Sequence, residues 1–309
     1  MSAPNGEPAE SEPDAGFVTQ LLREQAPHLA QLPVRPSPSS GSSNWVFRLV
    51  ADRAVRLPRS VEYAADLRNE IRWLPVLGAI LPVAVPSIEV VGRPGPAFPL
   101  PWTVVSWLPG EHPTDLDEAQ QDRLARSLGS FLRALHALDT QGQPSGAQHW
   151  GYRCGEPVTE TIDGWAREAA TALADLFDPA AVLEAWRRLR VVPPARRPAC
   201  LVHCDLSSEN LLVHDDGTLV GVIDFGGLGV GDRSVDLLYA WSMLGPPARD
   251  VLRSAADADE ATWARARAWA FVGPGLLTLA HYRETMPART ARLITMVEAV
   301  AAEVGVQLR

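Results

Sequence analysis

The strongest constraint on the fold is a β-hairpin pattern with polar residues at both of its ends. Residues 211–213 and 219–223 are apolar, β-rich runs, and the turn-forming sequence of residues 214–217, HDDG, separates them. A hairpin returns its far end to its near end. Asn210, which precedes the first run, and Asp224, which follows the second, are therefore predicted to be neighbours.

The side chains at these positions have the chemistry that phosphoryl transfer requires. A carboxylate and an amide oxygen side by side, here from Asp224 and Asn210, are hard ligands suited to Mg²⁺. Asp205, in the loop before Asn210, can accept the proton of a hydroxyl that attacks a phosphate. Each residue alone is typical of an ordinary turn former. Their order, their spacing and the hairpin between them together favour a metal–phosphate site.

This stretch resembles the aminoglycoside phosphotransferases, which are relatives of protein kinases and choline kinases. Residues 203–210 follow the kinase catalytic-loop pattern H-R-D-x-x-x-x-N, with Cys204 in place of the arginine. Residues 224–226 are D-F-G, and residues 229–236 form a G-x-G-D-R-x-x-D tail. The resemblance implies a bilobal, protein-kinase-like α+β fold with an antiparallel β-sheet N-lobe and a mostly helical C-lobe.

The resemblance also implies roles for individual residues. Asp205 is expected to be the catalytic residue that orients the acceptor hydroxyl, and Asn210 and Asp224 are expected to hold Mg²⁺. Arg56 stands where the family has a lysine that grips the α- and β-phosphates of ATP or GTP. Glu70, on the helix predicted over residues 62–74, is expected to pair with Arg56.

The chain contains no lysine, and its 28 basic side chains are all arginine. Schiff-base chemistry, attachment of pyridoxal phosphate and a Walker-type phosphate loop are therefore excluded. Arginine can replace the phosphate-gripping lysine, because its planar fork matches phosphate oxygens and stays charged. Arg59 is a competing candidate for the role of Arg56.

Further nucleotide contacts are predicted from the resemblance. Ser42 lies in a loop of small residues, where the backbone can approach phosphates closely. The backbone carbonyl of Ser106 and the backbone N–H of Leu108 are expected to bind the adenine ring. Pro109 lacks an N–H, which favours Leu108 as the donor.

The chain is divided by these motifs into three parts. Residues 1–15, rich in Pro, Glu and Ser, are predicted to be a disordered tail. Residues 16–108 are predicted to form the N-terminal nucleotide-binding lobe. Residues 109–309 are predicted to form the C-terminal lobe, which carries the catalytic loop and the acceptor site.

Several polar residues on predicted helices have alternative interpretations. Asp163 and Glu160 could line the acceptor pocket, although a solvated helix face is an equally ordinary reason for acidic residues. Asp232 and Asp236 are expected to support the loop that carries Asp224. His136 is expected to be packed or hydrogen-bonded rather than catalytic.

Two local signals concern helix ends. Asp115 and Glu118 have the spacing of a capping box with Asp115 as the cap. Pro75 is expected to end or kink the helix that carries Glu70, because proline lacks the N–H that the helix ladder needs.

Composition narrows the classes of partner. The net charge of −9 argues against a nucleic-acid partner and mildly favours a cationic substrate. The three cysteines predict neither a disulfide framework nor a zinc site, and suit a reducing cytoplasm. The acidic N-terminus lacks a signal-peptide pattern, and no apolar run reaches the length of a membrane span. A cytoplasmic protein without a membrane or nucleic-acid partner is therefore expected.

The sequence thus predicts a phosphotransferase that moves the γ-phosphate of ATP or GTP to a hydroxyl of a small molecule, first of all an aminoglycoside-type antibiotic. A macrolide or a metabolite alcohol is the alternative acceptor. From another class of protein, the alternative is a nucleotide-binding pseudokinase, favoured only by the arginine at position 56 and the cysteine at position 204. The acceptor, the nucleotide preference and the oligomeric state are not specified by the sequence.

Overall fold

The computed structural model describes residues 12–37, 43–50, 52–140, 158–285 and 287–309. The chain divides into two compact units. Unit 1 comprises Met1–Pro109 and Gly221–Gly227, and unit 2 comprises Gly110–Val220 and Leu228–Arg309. Unit 1 therefore includes a short segment that lies more than one hundred residues later in the sequence than the rest of the unit.

The strands of unit 1 form an antiparallel sheet with the order β1-β2-β3-β5-β4. Their bounds are Val34–Pro36 for β1, Asn44–Leu49 for β2, Arg53–Pro58 for β3, Ile88–Gly92 for β4 and Trp102–Ser106 for β5. Arg56 lies opposite Val46 of β2 on one side and Thr103 of β5 on the other. The register therefore places Arg56 in the interior of the sheet, not at its edge.

Helix α1 (Ala15–Gln25) covers one face of this sheet. Its N-cap is Asp14, whose Oδ1 accepts a 2.7 Å hydrogen bond from the N–H of Phe17. Leu21 of α1 packs in one apolar cluster with Val55 and Leu57 of β3. Because successive strand residues point to opposite faces, Arg56 projects from the other face.

Helix α2 (Val61–Leu77) has Ser60 as its N-cap, and the Ser60 hydroxyl accepts a hydrogen bond from the N–H of Tyr63. The expectation that this helix ends or kinks at Pro75 is wrong as to its end, because the helix continues to Leu77. Pro75 lies in the last turn, where a missing N–H removes a bond near the helix end and leaves most of the ladder intact. Leu77 is fully buried, which favours the extra residues.

The segment Gly221–Gly227 is held within unit 1 by backbone contacts. The N–H of Val222 donates to the carbonyl of Ala84 at 3.0 Å. The side chain of Asn69 donates to the carbonyl of Gly226 at 3.0 Å. A Cβ atom at Gly226 would lie 2.8 Å from that of Asp66, so the close approach to α2 requires glycine here.

Unit 2 is mainly helical. Its first helix, α3 (Glu118–His136), is capped by Asp117, whose carboxylate and backbone exchange hydrogen bonds of 2.8 Å with Gln120. The prediction that Asp115 is the cap is therefore wrong. Asp115 has a φ of +52°, so it lies in the turn before the helix.

The further helices in the described part of unit 2 are α4 (Glu160–Ala172), α5 (Pro179–Leu189), α6 (Ala240–Met243), α7 (Pro246–Ala255), α8 (Glu260–Ala270), α9 (Thr278–Tyr282) and α10 (Pro287–Glu303). A π-helical stretch, Phe271–Leu277, connects α8 to α9. Within the described ranges, no helix combines the length and the apolar character needed to cross a membrane.

Within the described residues there are also two small sheets. Strand β6 (Cys200–Val202) pairs with β9 (Gly229–Gly231), and β7 (Leu211–Val213) pairs with β8 (Leu219–Val222). The second pair is the predicted hairpin. Gly217 has a φ of +89° in its turn, a conformation that glycine adopts without strain.

Candidate active site

In unit 1, the central feature is a buried arginine held between two carboxylates. Nη1 of Arg56 lies 2.6 Å from Oε2 of Glu70, and Nη2 of Arg56 lies 3.6 Å from Oδ1 of Asp224. The side chains of Arg56 and Glu70 are 13% and 2% exposed, whereas that of Asp224 is 43% exposed. Burial alone would lower the pKa of Arg56, but the carboxylates of Glu70 and Asp224 outweigh it and raise the pKa. Arg56 is therefore a permanent buried cation.

The competing candidate, Arg59, lies elsewhere. It makes a 3.5 Å ion pair with Glu12 and stacks on the ring of Trp45. Arg56 is thus the arginine that faces both Glu70 and Asp224, which favours it for the phosphate-gripping role.

The D-F-G segment is fixed by the same glutamate. The N–H of Phe225 donates to Oε1 of Glu70 at 3.0 Å, while Oε2 of Glu70 binds Arg56. Asp224 has a φ of +65°, a left-handed conformation that is uncommon for residues other than glycine, although Asp tolerates it better than most. Backbone strain of this kind persists where the surroundings hold it, and here Glu70 holds the next residue.

The predicted adenine contacts lie at the end of β5. The N–H of Ser106 donates to the carbonyl of Ser87 at 2.9 Å, and the N–H of Trp107 donates to that of Asp52 at 2.8 Å. In the part of the chain that the structure describes, the N–H of Leu108 donates to no acceptor. A donor without an internal partner is suited to a ligand. Ser42 lies outside the described residues.

In unit 2, Asp205 and Asn210 are in direct contact. Nδ2 of Asn210 donates to the backbone carbonyl of Asp205 at 2.8 Å and to its Oδ2 at 2.9 Å. With its nitrogen bound twice to Asp205, the Asn210 amide directs its oxygen away from Asp205. That oxygen is the atom that can bind a cation.

As donor types, the side chains of Asn210 in unit 2 and Asp224 in unit 1 each suit magnesium better than zinc. The amide oxygen of Asn210 and the half-exposed carboxylate of Asp224 are hard ligands, and Mg²⁺ takes few of them because it keeps waters and phosphate oxygens. Among the described residues, no cluster of three His, Cys, Asp or Glu side chains could hold a metal ion. Burial raises the pKa of the Cys200 thiol to about 12, so this thiol is protonated at neutral pH.

The backbone before Asp205 is supported by Asp236. The N–H of Cys204 donates to Oδ1 of Asp236 at 2.9 Å, and the N–H of His203 donates to its Oδ2 at 3.1 Å. The sequence predicted that Asp232 and Asp236 support the loop of Asp224, whereas these bonds of Asp236 hold the loop before Asp205. Asp232 instead binds Arg265 at 2.9 Å. The sequence placed both carboxylates in one motif but could not say which loop each would contact.

Sequence reasoning also missed an ion-pair group at the catalytic loop. Glu209, which lies between Asp205 and Asn210, pairs with Arg289 and Arg292 of α10. Burial works to lower the pKa of Arg289, but its contact with Glu209 and the nearby Asp205 carboxylate raise it. Only the spacing of the two arginines on one helix face, three residues apart, could have suggested a shared partner.

The two acidic residues predicted near the acceptor differ in their surroundings. Asp163 accepts hydrogen bonds from Arg190 at 2.6 and 2.8 Å and from the indole of Trp186 at 2.8 Å. The contact with Arg190 lowers the pKa of Asp163. Glu160, in the first turn of α4, is exposed. The hydrogen bonds of Asp163 therefore link α4 to the end of α5, and of these two carboxylates Glu160 is the accessible one.

An antiparallel sheet unit, a helical unit and the catalytic-loop and D-F-G motifs define a protein-kinase-like fold, so the predicted fold class is confirmed. The model of the phosphotransferase enzyme family, APH, matches residues 35–269. The chain belongs to this family, as the sequence predicted.

Individual relatives agree with this assignment. An aminoglycoside 3'-phosphotransferase of Escherichia coli is 26% identical over 186 residues, which are 59% of this chain and 65% of that protein. The chain spans 53% to 65% of the length of the first curated relatives that it matches. The GDP complex of wild-type aminoglycoside 2'-phosphotransferase-IIIa superposes with a TM-score of 0.68 at 20% identity, covering 94% of this chain and 100% of that one. A macrolide 2'-phosphotransferase from Brachybacterium faecium gives a TM-score of 0.60 at 21% identity, covering 92% and 97%.

Proposed function

We propose that this protein transfers the γ-phosphate of ATP or GTP to a hydroxyl group of a small molecule, with an aminoglycoside-type antibiotic as the first candidate acceptor. The observation that carries the proposal is the buried Arg56, held by Glu70 at 2.6 Å and facing the exposed carboxylate of Asp224. A fixed cation beside a carboxylate that can bind a metal is the arrangement that a nucleoside triphosphate requires.

The roles follow from the chemistry of each group. Arg56 would bind oxygens of the α- and β-phosphates, and Leu108 would offer its N–H to the base. Asn210 and Asp224 would hold Mg²⁺, which supplies charge neutralisation of the phosphates when bound. The acceptor oxygen forms a bond to the γ-phosphorus as the bond from that phosphorus to the leaving β-phosphate oxygen breaks. Asp205 orients the acceptor and receives its hydroxyl proton.

The acceptor class is supported by the names of the relatives. The E. coli protein is an aminoglycoside phosphotransferase, and the net charge of −9 suits a cationic substrate. The similarity to the B. faecium enzyme makes a macrolide the second candidate. A panel of aminoglycosides, macrolides and simple alcohols, incubated with Mg²⁺ and ATP or GTP and analysed by mass spectrometry for phosphorylated product, separates these candidates.

The catalytic role is tested with Asp205→Asn, which keeps an oxygen for the amide of Asn210 but cannot take a proton. Turnover is expected to fall by about 10²- to 10⁴-fold, with unchanged nucleotide affinity. The matched control is Asp215→Asn in the exposed turn of the hairpin, which should be neutral. Wild-type turnover in Asp205→Asn would refute the role. Nucleotide binding by wild-type protein with no product from any acceptor would favour the pseudokinase.

A further inference from the structure

His136 is buried at the end of α3 and bonded to a carboxylate one hundred positions away. Its Nε2 lies 2.9 Å from Oδ2 of Asp236, and the two side chains are 5% and 0% exposed. Because a carboxylate can only accept, Nε2 carries the proton and donates it.

Asp236 is the same carboxylate that accepts the N–H groups of His203 and Cys204. Its Oδ2 is shared between the imidazole of His136 and the N–H of His203, and its Oδ1 takes the N–H of Cys204. Three donors, one from the end of α3 and two from adjacent residues of the loop before Asp205, therefore fix the plane of this carboxylate.

The backbone that Asp236 holds is under strain. Cys204 has a φ of +75°, which residues other than glycine adopt only where the surroundings impose it. The next residue is Asp205, whose carboxylate must meet the acceptor hydroxyl. A change in the orientation of the Asp236 carboxylate would therefore be transmitted through one strained residue to Asp205.

We propose that His136 is a positioning residue for phosphoryl transfer, acting through Asp236 on the backbone that sets the position of Asp205. This inference rests on the proposed function. Among the described residues, Nδ1 of His136 is buried without a hydrogen-bond partner. An apolar side chain would fill the same space without a buried unpaired nitrogen. What the histidine adds is therefore the single bond from Nε2 to Asp236.

The test compares three variants in the full chain. His136→Gln can place an amide N–H where Nε2 lies, whereas His136→Leu removes the donor and keeps an apolar volume. The control is Leu128→Ala on the same helix, a buried residue whose truncation lowers stability. Phosphorylation of the best acceptor gives kcat and the nucleotide KM, and thermal unfolding gives Tm.

We expect His136→Leu to lower kcat at least tenfold with the nucleotide KM within about twofold of wild type, because small misplacements of reacting groups are costly in rate. His136→Gln should keep kcat within about threefold, and Leu128→Ala should lower Tm without a matching loss of kcat. Wild-type kcat in His136→Leu would overturn the proposal. Equal losses of kcat in His136→Leu and His136→Gln would also overturn it. So would losses of kcat that simply track the loss of Tm in all three variants.

A second measurement does not depend on activity. Hydrogen–deuterium exchange at the amides of His203 and Cys204 should be at least tenfold faster in His136→Leu than in His136→Gln, and unchanged relative to wild type in Leu128→Ala. If wild-type protein phosphorylates no acceptor, the proposed function fails, and this exchange result still decides whether His136 holds the loop. Equal exchange in both His136 variants would overturn the proposal.

Discussion

Neutralising Glu70 should weaken the binding of magnesium nucleotide by releasing Arg56 onto Asp224. In the native arrangement Glu70 holds Nη1 of Arg56 at 2.6 Å, and Nη2 stays 3.6 Å from Asp224. In Glu70→Gln the amide can still accept the N–H of Phe225, but the charge that retains Arg56 is gone. The guanidinium is then expected to move to hydrogen-bonding distance of Asp224.

The magnitude follows from the separation of the charges. At an effective dielectric constant of about 20, opposite unit charges attract by about 4.6 kcal/mol at ~3.6 Å and by about 5.9 kcal/mol at ~2.8 Å. A cation binding to Asp224 must overcome the difference of about 1.3 kcal/mol, close to tenfold in affinity. Asp224 is 43% exposed, so solvent screening reduces the effect, and a loss of about three- to tenfold is expected.

Isothermal titration with magnesium ATP and magnesium GTP measures this affinity directly. The matched control is Glu62→Gln, which neutralises an exposed carboxylate in the first turn of the same helix and should change nothing. Circular dichroism and Tm establish that both variants are folded. Native affinity in a folded Glu70→Gln variant, or an equal loss in Glu62→Gln, would contradict the reasoning.

Two further predictions concern stability. Arg265→Met should lower the free energy of unfolding by about 3–5 kcal/mol in urea titrations, because it leaves the buried carboxylate of Asp232 without its cation. The control is Arg253→Met, which breaks a more exposed ion pair and should lower it by less than about 1 kcal/mol. Similar losses in both variants would refute the argument. Asp163→Asn should be most destabilising at neutral pH and nearly neutral in acid. Arg190 lowers the pKa of Asp163 in the folded state. The ionised Asp163 carboxylate therefore stabilises the fold above its unfolded-state pKa, and this stabilisation disappears as the pH falls through its folded-state pKa. If the difference in the free energy of unfolding between wild type and Asp163→Asn stays constant from pH ~3 to ~7, this prediction is contradicted.

Local patterns were sufficient where the interacting residues are close in the chain. Asp205 and Asn210 are five positions apart, and a single 3₁₀ turn, Ser208–Asn210, brings them into contact. The hairpin of β7 and β8 was equally predictable, because turn residues separate two apolar runs. The pairing of Glu70 with Arg56 came from the family resemblance, since an acidic residue beside a helical apolar stripe is more often solvated.

Helix ends were less predictable, because neighbouring residues compete for the same role. Asp115 and Asp117 both precede α3, and each has a hydrogen-bonding residue three positions later. The structure uses Asp117 with Gln120. Propensity does not separate these two boxes, since each would satisfy N–H groups at a helix start with the same chemistry, two residues apart.

By itself, the sequence determined the family, the fold class and the positions of Asp205, Asn210 and Asp224 on a loop and a hairpin. The family and the fold class came from the resemblance of the motifs to a known family, whereas the three positions depend on contacts within a few residues, which spacing and turn chemistry encode. Tertiary structure alone decided that the Asp236 carboxylate binds the backbone before Asp205 and also binds His136, because a carboxylate can accept any donor that folding brings within reach. Hydrogen-bond partners separated by tens of residues are determined by the packing of whole helices and strands, which a local sequence pattern does not specify.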